Sequence, residues 1–231
     1  MRHPVDLAKA AASIDQLSGG RLVLGTASGD RPIEFPAYDV PYDTRGVRYA
    51  QAVDMVRQLL RAGAPRVDSA LGTVAGAALL PKPAAGKIPL VVTSSSGQTL
   101  EWIGRHADGW LTYPDVTDGP DGPRRLAQKI RAWRACIPDG GFRPHMCNEW
   151  LDLADDPASP RTALNSGHVL RTGRHGLVDL LGEWREAGVN HAALGIQHGR
   201  RPPAEVLQEL AEEVLPLFPS HQGPAPLAQH W

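Results

Sequence analysis

Residues 3–32 read HPVDLAKAAASIDQLSGGRLVLGTASGDRP, and this stretch decides the fold class. Apolar side chains recur at helical spacing over residues 5–17, namely Leu7, Ala11, Ile14 and Leu17. Residues 18–20, Ser-Gly-Gly, then form the glycine stop that commonly ends a helix. The apolar run 21–27 predicts a short strand, and residues 28–32 predict a loop after it. A helix followed by a buried strand is the repeating unit of an α/β fold.

The same alternation continues along the chain. Strands are predicted at 21–27, 88–93, 110–113, 143–154 and 191–196, and the helices that follow at 45–61, 99–106, 124–136, 175–187 and 203–217. Segments 31–43 and 155–167 are predicted loops, and 63–87 an irregular crossing. Strands that alternate with helices predict a parallel sheet with crossover helices. This fits a barrel or a doubly wound sheet, and the pattern alone does not separate them.

Composition narrows the class of protein. The chain has 231 residues, a formal net charge of -1, 42% hydrophobic and 21% charged residues, which indicates one folded domain or at most two small ones. Near-neutral charge argues against nucleic acid or an anionic membrane as partner. No run approaches the ~20 apolar residues of a membrane span, and the N-terminus lacks a signal-peptide core. Cys136 and Cys147 fit no zinc pattern. We expect reduced thiols and a cytoplasmic protein.

Residues 94–99, SSSGQT, lie between a predicted strand and a predicted helix. Unpaired N–H groups at a helix N-terminus attract anions, and hydroxyl groups add donors. Gly97 lets a ligand approach the backbone, so the loop can cradle a phosphate. It is not a Walker loop, because no lysine follows. The alternative is that Ser96 simply caps the helix and Thr99 is an ordinary first-turn residue.

Two further places are candidate ligand contacts. The loop 25–32 follows a strand, and ligands of parallel α/β folds bind at such ends, but a tight turn explains the loop equally well. Arg45 opens a helix that Asp43 or Thr44 can cap, with Val47, Ala50, Val53, Val56 and Leu60 predicted inward. A cation there opposes the helix dipole unless it meets an anion. The alternative is an exposed surface arginine.

Aromatic and histidine residues complete the candidate set. Trp110, in the run ADGW, and Tyr113 either wall a flat aromatic ring or form a packed aromatic pair. His3, His145 and His198 lie near predicted strand ends, although a lone histidine is more often structural. The sequence has no HExxH pairing, so no metal site is expected. The acidic residues 152, 155 and 156 are interpreted as a solvated loop after a strand.

Several co-linear stretches carry a resemblance to one family. They are residues 3–32, YDTRGVRYAQAVDMV (42–56), PLVVTSSSGQTLEWIGRHADGW (89–110) and LRTGRHGLVDLLGEWREAGVNHAALGI (170–196). Together they resemble the bacterial-luciferase-like flavin-dependent monooxygenases and oxidoreductases. The resemblance covers nearly the whole chain and is weakest over 57–86 and 115–165. A long co-linear match is more specific than any single loop.

The resemblance implies a (β/α)₈ barrel with FMN, or the deazaflavin F420, at the carboxyl ends of the strands. Its phosphate contacts fall on Arg45, Ser96 and Thr99, with the loop Ser28-Gly29-Asp30 at the border. Gly97 and Gln98 lie within the same loop, and Trp110 is expected beside the ring. The sequence pattern of residues 94–114 resembles an FMN-linked subgroup of the family more than the deazaflavin-linked one. No catalytic residue is assigned.

Family members begin roughly three strands earlier, so we expect an α/β (β/α)₈ TIM-barrel type that is incomplete. About five βα units would occupy residues 1–218 as a partial barrel domain, and 219–231 would be a flexible tail. Open sheet edges predict a homo-oligomer, in the simplest case a dimer. The expected function is an FMN-dependent oxidoreductase or monooxygenase acting on a small organic substrate. The alternative is a truncated, non-catalytic relative that binds flavin phosphate weakly or serves as an oligomer subunit. A phosphate-binding isomerase or aldolase barrel would need a lysine or glutamate at a strand end, and none is seen.

Overall fold

The computed structural model describes residues 2–61, 63–113 and 121–220. Two compact units divide the described residues, unit 1 up to Gly109 and unit 2 from Trp110. The predicted turn over 115–123 lies mostly outside the described residues, and so do residues 221–231 of the predicted tail.

Unit 1 alternates helices and strands as the sequence predicts. Its helices are α1 (Pro4–Ser18), α2 (Arg45–Leu60) and α3 (Leu100–His106), and its strands are β1 (Leu24–Thr26), β2 (Arg66–Ser69), β3 (Gly72–Ala75) and β4 (Leu90–Thr93). Short 3₁₀ helices at Pro32–Tyr38 and Tyr42–Thr44 replace part of the predicted loop 31–43. β1 and β4 pair in parallel, with Gly25 opposite Val91. The parallel arrangement expected from the alternation is therefore confirmed for this pair.

The ends of α1 have clear local causes. His3 is the N-cap, where its Nδ1 accepts a hydrogen bond from the Val5 N–H at 3.3 Å. Pro4 follows at a position that needs no N–H donor. At the other end Gly19 has a φ of 65°, and its N–H donates to the Asp15 and Gln16 carbonyls. The predicted glycine stop is confirmed.

The inward face of α2 holds Val53, Val56 and Leu60 as predicted, and Ala11 of α1 is buried, but three other apolar side chains are exposed. Val47 was expected inward, and Ile14 and Leu17 were predicted at the apolar spacing of a helix, yet they are 66%, 52% and 89% exposed. On α1 the contact is formed by alanines, because small side chains let the larger side chains of α2 pack close to the α1 backbone. The resulting cluster of buried side chains includes Ala8, Ala11, Ala12, Met55, Val56 and Leu59. Size, rather than hydrophobicity alone, therefore selects the packed face.

The segment 63–87 contains a hairpin that the sequence analysis missed. β2 and β3 pair antiparallel, with Val67 opposite Val74. Val67 is buried in the same apolar cluster as α1 and α2. The expectation of an irregular crossing was wrong here, because the glycines and prolines mark the turns and not the short strands between them.

Unit 2 is built around one long strand. In chain order it holds β5 (Gly109–Thr112, its last three residues in this unit), α4 (Gly122–Ala135), β6 (His145–Leu153), β7 (Thr162–Leu164), β8 (Val169–Thr172), α5 (Arg174–Ala187), β9 (His191–Gly195) and α6 (Pro203–Glu209). β6 pairs in parallel with β5, β8 and β9. β7 pairs antiparallel with β8. Four of the strand pairs thus confirm a mostly parallel α/β arrangement, although β7 falls where a loop was predicted.

Apolar side chains of α4 and α5 cover one face of β6. The buried cluster includes Leu126 and Ile130 of α4, Leu177, Leu180 and Trp184 of α5, and Cys147 and Leu151 of β6. Burying a leucine side chain stabilises the fold by roughly 1.5–3 kcal/mol. Cys136 and Cys147 are both free thiols.

The last predicted helix, 203–217, is regular only over α6. A π turn (Leu210–Val214) and a 3₁₀ turn (Leu215–Leu217) continue it. Pro216 lacks an N–H and cannot extend an α-helix, whereas Val214 remains buried in the core. No helix in the described part of the chain is long and apolar enough to cross a membrane.

Candidate functional site

The predicted loops after β1 and β4 meet in unit 1. Because β1 and β4 are parallel, their carboxyl ends lie at the same edge. The backbone N–H of Ser28 donates a hydrogen bond to Ser96 Oγ at 3.3 Å. Residues from both candidate loops, 68 positions apart in sequence, are therefore in direct contact.

The Ser96 side chain holds this contact together through hydrogen bonds. Its side chain is 7% exposed, and its hydroxyl donates to the Thr93 carbonyl at 2.7 Å. The backbone of Ser96 has a φ of 48°, in the left-handed region that costs a non-glycine residue free energy. The N-cap of α3 is Thr99, whose Oγ1 accepts from the Trp102 N–H at 3.2 Å. The capping role considered for Ser96 thus belongs to Thr99.

Loop 94–98 presses against the first turn of α2. A Cβ at Gly97 would lie 2.9 Å from the Gly46 Cα, closer than real Cβ atoms approach. The Gln98 side-chain amide donates to the Gly46 carbonyl at 2.7 Å. Gly46 directly follows Arg45, so this contact brings the start of α2 beside the serine loop.

Arg45 is the first residue of α2, and Tyr42 holds its side chain. The guanidinium carbon lies 3.8 Å from the centroid of the Tyr42 ring, and Nη1 donates to the Tyr42 carbonyl at 3.2 Å. The first turn of α2 contains no acidic residue, and Thr44 makes no side-chain capping bond. The Thr44 hydroxyl donates instead to the Pro41 carbonyl at 2.9 Å. The capping expected from Asp43 or Thr44 is therefore missing, and the helix begins with a positive group.

Two aromatic rings, Phe35 and Tyr42, join the loop after β1 to Arg45. Gly29 has a φ of 86°, and a Cβ there would lie 3.2 Å from the Phe35 ring. Phe35 is buried and meets Tyr42 edge to face, with ring centroids 5.0 Å apart. Asp30 follows Gly29 in the exposed part of the same loop. The structure thus assembles the predicted positions 28–30, 45 and 96–99 at one corner of unit 1.

Tyr49 belongs to the same corner and was missed in the sequence. Its buried hydroxyl lies 2.7 Å from Thr26 Oγ1 and also bonds the Ser96 side chain. Burial raises the pKa of Tyr49 despite these hydrogen bonds, so the hydroxyl keeps its proton. The signal was available, because residues 45 and 49 are four positions apart and share one helix face.

Trp110 belongs to unit 2. It is 1% exposed and packs against Trp133 and His145, each with ring centroids 5.4 Å away. The packed-aromatic alternative describes its surroundings, and we leave Trp110 out of the proposed cofactor site. The preceding Asp108 has a structural role, accepting from the Leu90 N–H at 3.0 Å.

The histidines near strand ends have separate environments. His3 Nε2 lies 2.7 Å from the Leu71 carbonyl, in addition to its capping bond. His145 is fully buried with Nε2 3.2 Å from Thr112 Oγ1, and burial, aided by Arg134 and Lys129, lowers its pKa to about 3. His198 lies beside Trp150 of β6. Among the described residues, no group of three or more His, Cys, Asp or Glu side chains is placed to hold a metal ion.

Comparison with known proteins identifies a family whose sequence pattern this chain matches. The sequence model of the luciferase-like monooxygenases matches residues 1–143. That range includes every position predicted for the cofactor site, from Ser28 to Trp110. The resemblance inferred from the sequence is confirmed.

Curated relatives cover part of the chain. An uncharacterized protein of Mycobacterium tuberculosis is 32% identical over 138 residues, 59% of this chain and 48% of the relative. The 5,10-methylenetetrahydromethanopterin reductase of Archaeoglobus fulgidus is 32% identical over 108 residues, 47% of this chain and 32% of the reductase. The matched region spans about half the length of the Mycobacterium tuberculosis protein and about a third of the length of the reductase.

Solved structures extend the fold likeness over nearly the whole chain. An F420-dependent secondary alcohol dehydrogenase, in complex with an F420–acetone adduct, gives a TM-score of 0.73 at 17% identity, covering 94% of this chain and 76% of that one. The oxygenating constituent of 3,6-diketocamphane monooxygenase from Pseudomonas putida, in complex with FMN, gives 0.69 at 15% identity, covering 93% and 76%. Such low identities support the fold alone.

Proposed function

The chain belongs to the luciferase-like monooxygenase family, and on that basis we propose that it is a flavin-dependent oxidoreductase or monooxygenase acting on a small organic substrate. FMN is the proposed cofactor. A reduced flavin supplies the redox chemistry, by reaction with O₂ or by hydride transfer, and the protein supplies binding and orientation.

The observation that carries this proposal is the corner of unit 1 where loop 94–98 meets Arg45. A guanidinium has five N–H donors in a planar fork that suits phosphate. The described contacts of Arg45 use one of its nitrogens, Nη1, on the Tyr42 carbonyl. The remaining donors fit an anionic group next to α2. The 3.8 Å contact with the Tyr42 ring holds the guanidinium in a defined orientation.

Hydroxyl groups on the exposed side of the loop complete the fit. Thr99 Oγ1 accepts from Trp102, and Ser95 Oγ accepts from the Gly97 N–H at 3.3 Å. The Ser95 hydroxyl therefore keeps its proton for a phosphate oxygen, whereas the Thr99 hydroxyl also bonds the exposed Glu101 carboxylate and would exchange that bond for one to the phosphate. Ser96 contributes differently, because its proton is committed to the Thr93 carbonyl. We assign Arg45, Thr99 and Ser95 as phosphate donors and Ser96 as the residue that positions their loop.

The charge of the phosphate separates the two cofactor candidates. FMN ends in a phosphate monoester, which carries about −1.5 to −2 charges at pH 7. F420 carries its phosphate inside a longer chain, as a singly charged diester. Arg45 and an uncapped first turn of α2 attract the more highly charged group more strongly. F420 is the second candidate because the names of two structural neighbours and of one curated relative refer to it.

Parallel titrations of the full chain with FMN and F420, followed by cofactor fluorescence and calorimetry, test the proposal. Arg45→Ala is expected to weaken binding by about 1–3 kcal/mol, the size of hydrogen bonds to charged groups. Arg61→Ala is the matched control, since it removes the same charge roughly 24 Å away at the far end of α2. Equal affinity of both variants and the wild type would remove the phosphate assignment. Binding without turnover of any substrate would favour the non-catalytic alternative.

A further inference from the structure

Trp150 lies at the centre of an aromatic group in unit 2 that the proposed cofactor corner does not use. The Tyr113 ring is nearly parallel to it, at 24° with centroids 6.3 Å apart. His168 and His198 each meet the indole edge to face, with centroids 6.4 Å away. Trp150 is half-buried and both histidines are exposed, so this group opens to the surface.

The position of Trp150 on β6 explains why its face is not covered by helices. Side chains alternate along a strand, and Cys147 and Leu151 point into the core beneath α4 and α5. Asn148, Trp150 and Asp152 therefore share the opposite face.

The neighbouring strand β9 leaves room above that face. Ala193 stands opposite Asn148, and Gly195 stands opposite Trp150. A Cβ at Gly195 would lie 3.0 Å from Trp150 Cδ1, so the indole ring occupies the space that a larger residue would fill. Small residues on β9 therefore let the indole lie over the sheet, with the Gln197 side chain beside it.

Polar groups flank Trp150 on both sides along β6. On one side, Asn148 Oδ1 is buried without a hydrogen-bond partner among the described residues. An unpaired buried polar atom costs about 1–3 kcal/mol, which a ligand or water can recover. On the other side, two arginines contact the buried Asp152, Arg171 at 2.6 Å and Arg200 Nε at 3.3 Å.

This ion cluster carries an excess positive charge. Asp152 was interpreted from sequence as part of a solvated acidic loop, yet it is 1% exposed and neutralises only one of its two arginines. The Arg200 side chain is 67% exposed. Its ion pair with Asp152 uses Nε, which leaves Nη donors for an anion.

We propose that the face of unit 2 formed by Trp150, Tyr113, His198 and Arg200 binds a planar aromatic molecule that carries a carboxylate or a similar acidic group. The ring stacks on the indole, and the acidic group pairs with Arg200 beside His198. Asn148 Oδ1 accepts a hydrogen bond from a donor on the ligand. The identification of this ligand as the organic substrate rests on the proposed function, but its binding does not.

Calorimetric titration of the full chain with 2-naphthoate tests this assignment. Two further probes separate the contributions, namely 2-naphthamide, which is planar and neutral, and cyclohexanecarboxylate, which is anionic and not planar. We expect saturable binding of 2-naphthoate and at least about tenfold weaker binding of each other probe, since a charge-assisted bond or an aromatic stack is lost. Absence of saturable 2-naphthoate binding would overturn the assignment. Equal affinity for the amide would remove the role of Arg200.

Variants locate the site. Arg200→Gln is expected to weaken 2-naphthoate by about tenfold and to leave 2-naphthamide unchanged, whereas Arg131→Gln, an exposed arginine of α4, should change neither. Trp150→Leu should abolish binding, and Trp150→Phe should retain part of it, which separates loss of stacking from loss of folding. Wild-type affinity in both Arg200→Gln and Trp150→Leu would contradict the proposal.

The two proposals fail independently. Arg45→Ala should leave 2-naphthoate binding intact, because Arg45 is not among the residues that form the Trp150 face. Loss of FMN binding with 2-naphthoate bound normally would count against the proposed function alone. The reverse result would count against the aromatic-acid site alone.

Discussion

Replacing Gly97 with alanine tests whether loop 94–98 is held against the start of α2. Gly97 has a φ of 73°, and a Cβ there would lie 2.9 Å from the Gly46 Cα. The left-handed backbone costs a non-glycine residue about 1–2 kcal/mol. Relieving the contact costs a further amount of roughly 1–3 kcal/mol, as for overpacked sites. We expect Gly97→Ala to lower the free energy of unfolding by about 2–5 kcal/mol.

A second glycine separates the two contributions. Gly86 has a φ of 80°, and a Cβ there would meet no atom within 4 Å. Gly86→Ala should therefore show the backbone cost alone, about 1–2 kcal/mol. Urea unfolding followed by circular dichroism measures both variants under identical conditions. If Gly97→Ala is no more destabilising than Gly86→Ala, the loop does not press on α2 as described.

The same pair of variants connects packing to binding. Gly97→Ala must move the loop away from Gly46, which separates Ser95 and Thr99 from Arg45. FMN affinity should fall in Gly97→Ala and stay unchanged in Gly86→Ala. Normal FMN affinity in a destabilised Gly97→Ala protein would show that the phosphate does not bridge the loop and the helix.

Three further variants test the hydrogen bonds around the site and the buried histidine. Ser96→Ala should lower stability by about 1–3 kcal/mol, because the buried Thr93 carbonyl loses its donor, and FMN should bind more weakly; titration of a folded variant checks this. Tyr49→Phe should cost about 0.5–1.5 kcal/mol of stability, measured by urea unfolding, with a smaller effect on FMN than Arg45→Ala. The pKa of His145 is lowered from 6.5 to about 3, so its neutral form favours folding above pH 6.5 and that contribution is lost as the pH falls toward 3. Between pH 7 and 5 we expect a loss of about 2 kcal/mol, and unfolding curves of His145→Gln should show a shallower pH dependence.

The alternation of helices and strands could be predicted because its signals are local. Gly19 ends α1 through its own left-handed backbone. The apolar residues of β4 are buried, as their hydrophobicity predicts. Parallel pairing follows from the crossover helices, and the register Gly25 to Val91 agrees with it. These elements depend on neighbouring residues in the sequence, so a single chain contains the necessary information.

Features that depend on distant partners could not be predicted in the same way. Ile14 and Leu17 fit a helical apolar stripe, but α2 packs closer through alanines and leaves them exposed. The sequence predicts a ligand ring beside Trp110, yet the Trp110 side chain packs against Trp133. In both cases an apolar or aromatic residue is compatible with either environment. The shape of the neighbouring element decides whether the side chain is exposed or packed.

The candidate site also combines features that the sequence predicts with features that depend on distant partners. Arg45, Ser96 and Thr99 were predicted together as phosphate contacts, and unit 1 brings them to one corner. Their chemistry differs, because the Ser96 proton is committed to the Thr93 carbonyl while Arg45 retains donors. The partners that bury Ser96 include Ser28 and Tyr49, which are far away in sequence. Sequence therefore predicts which residues gather at the site, but the roles of phosphate donor and loop-positioning residue depend on the folded hydrogen-bond network, which is why Ser96→Ala and Arg45→Ala should differ in stability as well as in affinity.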